Sequence, residues 1–349
     1  MSDFFSYISG DNSPYIIAEL GSNHNGDMDI AKNLIDVAKD CGSDCVKFQS
    51  WSKDSIFSKK KYEENFFLTD DYRDRKDTNL EDIVEKYSIS EDQLLEMGAY
   101  SKKLKIDCAS TPFSKNEANF LKEKMEVPFI KVASMDLNNY QFLDYVARLK
   151  KPIVLSTGLS ELSEIDKAIR TIESTGNQEI IILHCVAIYP TPEIDIHLNN
   201  IKTLQRLYPY PIGFSDHSLG ISISLAAVAL GARVIEKHFT LDNSMSGWDH
   251  EMSINPDELN LLCTESKRVY KSLGSKRIVS PESDERKQEF RRSIVVSHDL
   301  KEGHKISNED VDFKRPATGI LPSELEYVLG RTLKRDLGAD EIINWEDLI

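Results

Sequence analysis

The chain has 349 residues, 40% of them hydrophobic and 29% charged, with a formal net charge of −15 at pH 7. That length fits one large domain plus a small one, and the apolar fraction suffices for a sizeable core. The acidic balance argues against a nucleic-acid groove as the main business, yet a few lysines can still make a local positive pocket for an anionic substrate.

In chain order, the N-terminal MSDFFSYISGDNSP has no basic start and no long apolar stretch, so no signal peptide is expected. Nowhere does an apolar run reach 18 residues, so no membrane-spanning helix is expected. Eight short apolar runs follow: YIIAEL (15–20), DCVKFQS (44–50), KIDCAST (105–111), FIKVAS (129–134), PIVLST (152–157), EIIILHCV (179–186), PIGFSD (211–216) and RVIEKHFT (233–240). Between them, apolar residues at three- and four-residue spacing predict helices over 30–41, 91–104, 116–125, 139–149, 161–175, 199–207, 220–230 and 256–273. Gly42 is the expected C-cap of the first.

Alternating strands and helices predict parallel pairing, and near-continuous apolar strands predict a sheet covered on both faces. Eight such units over roughly 260 residues fit a (β/α)8 TIM barrel spanning 1–273, with a doubly wound open sheet as the alternative. Residues 51–88 are polar and highly charged, and read as an excursion inserted after the second strand, a candidate lid. A charged stretch at 274–290 reads as a linker. Residues 291–349, broken by Gly and Pro, read as a compact small domain of strands and turns.

Five cysteines, an odd number with no CxxC pair, read as reduced core thiols of a cytoplasmic protein.

Polar residues stand where barrel strands finish, which is where the active site of this fold lies. They are Glu19; Lys47 and Gln49; Ser110 and Thr111; Lys131 and Ser134; Ser156 and Thr157; His184, with Tyr189 beyond; Ser215, Asp216 and His217; and Glu236, Lys237 and His238. Taken singly, a strand histidine is usually a bonded core residue, a strand-end lysine snorkels, and a Ser-Thr pair caps a helix. As a set they suit a substrate. Lys47 and Lys131, with the hydroxyls of Thr111, Ser134 and Ser215, suit an anion bearing phosphate and carboxylate. His217 and His238 on adjacent strands suit a divalent metal with open positions, and are too few for a structural zinc site. Glu19 and Asp249 could supply a general base or contacts to sugar hydroxyls. Alternation places Glu236 on the face of His238 and deeper, either orienting a neighbour or in a buried salt bridge, and turns Lys237 toward the outer helices.

Several of these segments are long and occur in a familiar order: ELGSNHNG (19–26), VKFQ (46–49), STPFS (110–114), IKVAS (130–134), STG (156–158), LHCVAIYPTP (183–192), GFSDHSLG (213–220), ARVIEKHFTLD (232–242) and DHEMSINPDEL (249–259). Together they resemble the sialic acid synthase family, and SIVVSHDLKEGHKISNEDVDFKRPATGI (293–320) resembles its C-terminal antifreeze-like domain, of β-clip type. The resemblance implies condensation of phosphoenolpyruvate with the open-chain aldehyde of an N-acylated hexosamine, giving a nine-carbon 3-deoxy-2-ulosonic acid and phosphate. It implies phosphoenolpyruvate on Lys47, Thr111, Lys131, Ser134 and Ser215, and the sugar on Tyr189, Asp136 and Asp249. The implied metal ligands are His217 and His238, holding Mn²⁺ with Mg²⁺ or Co²⁺ as alternatives. Glu19, Asp249 and Arg315 would be catalytic, Arg315 reaching a neighbouring subunit in a homodimer with exchanged C-terminal domains.

The chain departs from many relatives at Met135-Asp136, Ala187 and Trp248, where they carry Gly-Glu, Asn and Pro. These positions lie toward the sugar, so a diacylated bacillosamine-type hexose fits as well as N-acetylmannosamine. Two rival readings are a Schiff-base aldolase on the same barrel, using Lys131 or Lys47, and a non-catalytic sugar-binding protein.

Overall fold

The computed structural model describes residues 3–64 and 79–349, so the centre of the expected excursion, 65–78, lies outside the described residues. The chain divides into two compact units, Met1–Gly274 and Ser275–Ile349.

The first unit holds eight strands, β1 (Tyr15–Gly21), β2 (Cys45–Gln49), β3 (Asp107–Thr111), β4 (Ile130–Val132), β5 (Ile153–Ser156), β6 (Ile180–Cys185), β7 (Ile212–Asp216) and β8 (Val234–His238). They pair in the order β3-β2-β1-β8-β7-β6-β5-β4, every pairing parallel. The two end strands, β3 and β4, lie side by side. This is a barrel-like ring of eight parallel strands with helices outside it, not a doubly wound open sheet.

Local chemistry sets the helices. Asp27 caps Met28–Asp40 by accepting from the N–H groups of Asp29 and Ile30, and Gly42 follows at φ +90°. Reciprocal side-chain caps start Glu91–Leu104, at Ser90 and Gln93, and Pro256–Leu273, at Asn255 and Glu258. The helix expected over 116–125 is α-helical only over Lys115–Phe120 and widens to a π turn at Leu121–Met125.

Strand alternation splits the core in two. Ile16, Ala18, Val46, Phe48, Ile130, Ile153, Ile182 and Phe214 pack outward against the helices. Tyr15, Ile17, Cys45, Ala109, Phe129, Val154, Ile181, Leu183 and Val234 pack inward. At β7 the inward position is Gly213, whose Cβ would lie 2.5 Å from the Leu183 side chain, so no larger residue fits. A short helix absent from the sequence reading, Asp3–Ser9, closes this end with Phe4, Phe5 and Ile8. Phe4 stacks on Phe129 at 4.6 Å and meets Tyr15 edge-on at 5.1 Å.

The described part of 51–88 holds helices Lys53–Ile56, Lys59–Glu64 and Leu80–Tyr87. Leu80, Ile83, Val84 and Tyr87 form a small core with Trp51, against which Trp248 packs. All five cysteines are buried and free. Among the described residues, no helix is long and apolar enough to cross a membrane.

In the second unit, β9 (Ser293–Val296) and β10 (Val311–Lys314) pair antiparallel over a core of Ile294, Val296, Leu300, Ile306, Ile320, Val328, Leu333, Leu337, Ile343 and Leu348. The stretch read as a linker contains a helix, Asp284–Phe290, capped by Ser283 and joined to the unit through the Ala317 N–H and the Gln288 carbonyl, 2.7 Å. It buries no residue of its own, which is why its sequence gave no periodic signal.

Candidate active site

The alternation that points Ile17, Cys45, Ala109, Val154, Leu183 and Val234 into the barrel delivers the next inward residues as Glu19, Lys47, Thr111, Ser156, Cys185 and Glu236. Lys131 follows Phe129 in the same way on β4. Register sets Glu19 beside both Lys47 and His238, and Ser215 beside Glu236.

These side chains form one charged network. Lys47 Nζ lies 2.5 Å from Glu19 Oε2 and 3.8 Å from Glu236 Oε2, and donates to Thr111 Oγ1 at 2.9 Å. Lys131 Nζ lies 3.6 Å from Glu236 Oε1, which accepts from Ser215 Oγ at 3.1 Å. All six residues are buried. Burial pushes the Glu19 carboxyl up, with Lys47 opposing. Burial works the other way from the lysines on Glu236, but Lys131 and Lys47 prevail and hold it below its ordinary value. For Lys47 burial is outweighed by Glu19 and Glu236, and its pKa rises; Lys131 is drawn down by burial, with Glu236 opposing.

A second cluster sits above. The rings of His217 and His238 are 5.6 Å apart, and Tyr189 lies 4.3 Å from His217. His217 Nδ1 faces the Val186 carbonyl at 2.8 Å; a carbonyl only accepts, so Nδ1 carries a hydrogen and Nε2 is the nitrogen left to bind a cation. Burial lowers the pKa of this ring, but Cys185 and the Val186 carbonyl prevail and raise it. His238 Nδ1 is buried without a hydrogen-bond partner, 3.8 Å from Asp249 Oδ2, and burial holds its imidazole near 4, hence neutral. Two adjacent imidazoles, one with an orphaned nitrogen and a carboxylate beside it, match what a divalent cation with open positions requires. Among the described residues, no three or more His, Cys, Asp or Glu side chains gather as a fuller metal cage.

The clusters converge over Gly21, at φ +52°. A Cβ there would lie 3.4 Å from Glu19 Oε1 and 3.5 Å from both Asp249 Oδ2 and Gln49 Nε2. Gln49 donates to Glu19 Oε1 at 2.8 Å and accepts from Trp51 Nε1 at 2.9 Å, so the inserted segment is wired to the Glu19 carboxylate. Ser134 joins from the other side: its Oγ accepts from the Gly158 N–H at 3.0 Å and donates to Cys185 Sγ at 3.6 Å.

Not every expected residue joins. Asp136, on the 3-10 turn Ser134–Asp136, accepts from Asn139 instead, and its carboxyl is pushed up by burial. Arg315 lies in the second unit, exposed, with its guanidinium 5.2 Å over the Phe290 ring. His184 points outward, bonding the Ile196 carbonyl at 2.6 Å. Lys237 also points outward, paired with Asp216 Oδ2 at 2.9 Å. Trp248 packs on Trp51 and Tyr87, at 6.3 and 6.4 Å, and so anchors its loop to the inserted segment.

Two contributors, both noted at strand ends, were given no substrate or metal role from the sequence. Glu236 bridges both lysines, so the orienting and salt-bridge readings describe one arrangement. Ser156 Oγ is buried inside the barrel without a hydrogen-bond partner. Its inward direction follows from Val154 two residues earlier, a signal present in the sequence.

Comparison with known proteins agrees over nearly the whole chain. Residues 34–278 match the NeuB family model, and residues 291–349 match the SAF domain. The chain is 41% identical to an uncharacterised protein of Methanocaldococcus jannaschii, over 98% of this chain and 97% of that protein. It is 38% identical to N,N'-diacetyllegionaminic acid synthase of Campylobacter jejuni, covering 94% of this chain and 98% of the relative. A crystal structure of the N-acetylneuraminic acid (sialic acid) synthetase of Leptospira borgpetersenii superposes with a TM-score of 0.69 at 37% identity, covering 79% of this chain and 90% of that one.

Proposed function

This chain belongs to the NeuB family, the sialic acid synthases that condense phosphoenolpyruvate, and from that premise we propose that it joins phosphoenolpyruvate to the open-chain aldehyde of an N-acylated hexosamine. The observation that carries the reading is the pair Lys47 and Lys131, buried inside the barrel and linked through Glu236, beneath two imidazoles 5.6 Å apart.

Lys47, Lys131 and the hydroxyls of Thr111, Ser134 and Ser215 hold the phosphate and carboxylate by charge-assisted hydrogen bonds. His217 and His238 hold a divalent cation, Mn²⁺ by preference, with Mg²⁺ or Co²⁺ as substitutes. Such a cation, when bound, supplies Lewis-acid polarisation of a carbonyl oxygen. Tyr189 and Asp249 position the sugar so that its aldehyde carbon faces the vinyl carbon of phosphoenolpyruvate. A carbon–carbon bond forms there as the vinyl and carbonyl π bonds open; the aldehyde oxygen takes up a proton and becomes a hydroxyl, and the positive charge left at the enol-phosphate carbon is captured by water. Glu19, its carboxyl raised by burial, takes the proton that this water gives up. The tetrahedral phosphate adduct then loses inorganic phosphate by carbon–oxygen cleavage, leaving the 2-keto acid.

The loops after β4 to β7 expose Met135, Leu159, Ile188, Ile194 and Leu219 around the barrel mouth. That apolar rim supports a homodimer in which the partner's C-terminal domain covers the mouth and brings Arg315 to the phosphate. Arg315→Ala then lowers turnover while leaving the barrel folded. The buried free cysteines suit a reducing cytoplasm.

The test is the purified protein with Mn²⁺, phosphoenolpyruvate, and N-acetylmannosamine or a diacylated bacillosamine-type hexose, scoring phosphate release and product mass. The legionaminic relative favours the diacylated sugar. No phosphate from any acylated hexosamine overturns the reading. One observation favours a second reading: burial lowers the Lys131 pKa, as a Schiff-base lysine requires. Borohydride trapping a lysine adduct would establish that aldolase; condensation leaves no adduct, and activity disappears with a chelator.

A further inference from the structure

Asp249 sits on a loop with little regular structure, between β8 and the helix Pro256–Leu273. Its carboxylate nevertheless arrives beside Gly21 and His238. Its neighbour His250 is 1% exposed, and both ring nitrogens are engaged. Nε2 faces Asn25 Oδ1 at 3.2 Å, and Nδ1 faces Thr240 Oγ1 at 2.6 Å.

The network fixes the proton. Asn25 Nδ2 donates to the Ser246 carbonyl at 2.9 Å, so its Oδ1 is the atom turned to the imidazole. An amide oxygen only accepts, so His250 Nε2 carries the hydrogen. Burial lowers the pKa of His250 and keeps the ring neutral, so Nδ1 accepts from Thr240. The ring thereby ties the residue after Asp249 to the loop after β1 and to the end of β8. The fit is close: a Cβ on Gly247 would lie 2.3 Å from the His250 ring and 2.6 Å from Asn25 Oδ1. A second tie holds the Asp249 main chain, where Ser253 Oγ donates to its carbonyl at 2.6 Å and itself accepts from Asn23 Nδ2 at 2.9 Å.

We propose that His250 is a positioning residue of the condensation: it straps the Asp249 loop to the β1 loop through Asn25 and to the end of β8 through Thr240, and so sets the Asp249 carboxylate for the acceptor sugar. The inference rests on the acceptor-side role proposed for Asp249. It gives this histidine no contact with either reactant.

The experiment compares His250→Ala, His250→Gln and Asp249→Asn with wild type in the full chain, using Mn²⁺, phosphoenolpyruvate, and N-acetylmannosamine or the diacylated hexose as acceptor. A crystal structure of the His250→Ala protein completes it. His250→Ala raises the acceptor KM at least about tenfold, leaving the phosphoenolpyruvate KM within about twofold. His250→Gln, which restores a donor to Asn25, recovers most of the loss. The crystal structure shows the Asp249 carboxylate swung away from Gly21. Equal rises in both KM values, or an unmoved Asp249 in the alanine variant, overturn the strap. Normal acceptor kinetics in Asp249→Asn remove the role proposed for Asp249 itself, and the strap with it. A crippled Asp249→Asn beside a wild-type-like His250→Ala overturns the strap alone.

Discussion

The two ends of the barrel are made by the same eight strands and are chemical opposites. Where the strands begin, Tyr15, Cys45, Phe129, Val154, Ile181 and Val234 point inward, and Phe4 and Phe5 of the N-terminal helix cover them. Where the strands finish, the same inward positions hold Glu19, Lys47, Lys131, Ser156, Ser215 and Glu236. Period-two geometry places side chains without regard to their chemistry. The dry end can therefore be packed for stability, while the other end gathers ions whose burial costs several kcal/mol each unless they are paired.

That contrast can be broken from either side. The largest effect is expected for Lys47→Met. It leaves Glu19 and Glu236 buried without their shared partner, so stability falls by about 3–5 kcal/mol and phosphate release by about 10³-fold. Urea unfolding and the phosphate assay measure the two losses. Phe129→Ala is the counterpart at the closed end: a fully buried ring is lost, unfolding is easier by about 3–5 kcal/mol, and the phosphoenolpyruvate KM of the folded fraction stays at its wild-type value. A shifted KM would show that the floor shapes the site. His238→Ala sharpens the contrast in between. Mn²⁺ affinity by calorimetry drops at least about 100-fold, with a smaller stability loss than Phe129→Ala.

The smallest effect lies outside the barrel. Asp310 accepts from His304 Nε2 at 2.9 Å and from the Ser307 N–H and hydroxyl at 2.7 and 2.8 Å. Burial opposes them, but these donors hold its carboxyl at about 2, against an ordinary 3.8. The folded pKa is depressed, so its contribution is complete above about pH 4 and is lost as pH falls toward 2. Asp310→Asn costs the second unit about 1–2 kcal/mol at neutral pH. Thermal scans at pH 7 and pH 3 should show that difference shrinking at the lower pH.

The strands were legible because their apolar runs are nearly continuous, and the helices because Leu34, Ala38, Ile165, Ile169 and their like recur at helical spacing. The inward set of Lys47, Lys131, Ser215 and His238 was legible because polar residues interrupt apolar strands. The helix Asp3–Ser9 escaped notice because seven residues, three of them buried, give too short a pattern. Asp284–Phe290 escaped for want of any buried face. The tie from Asp249 through His250 to Asn25 spans 225 positions, and no local pattern encodes a hydrogen bond of that reach. Trp248 was read toward the sugar, and its packing on Trp51 and Tyr87 makes it an anchor of its loop.

The pairing of Glu19 and Glu236 with Lys47 and Lys131 leaves these four groups with no net formal charge when all are ionised. Under the proposed function, an incoming phosphate ester therefore meets no deep positive well, and approaches a protein whose overall charge of −15 repels it. Long-range attraction does not drive its capture, so added salt, by screening that repulsion, raises the encounter rate. Selectivity is exerted after arrival, when the ester competes with a resident carboxylate for each ammonium.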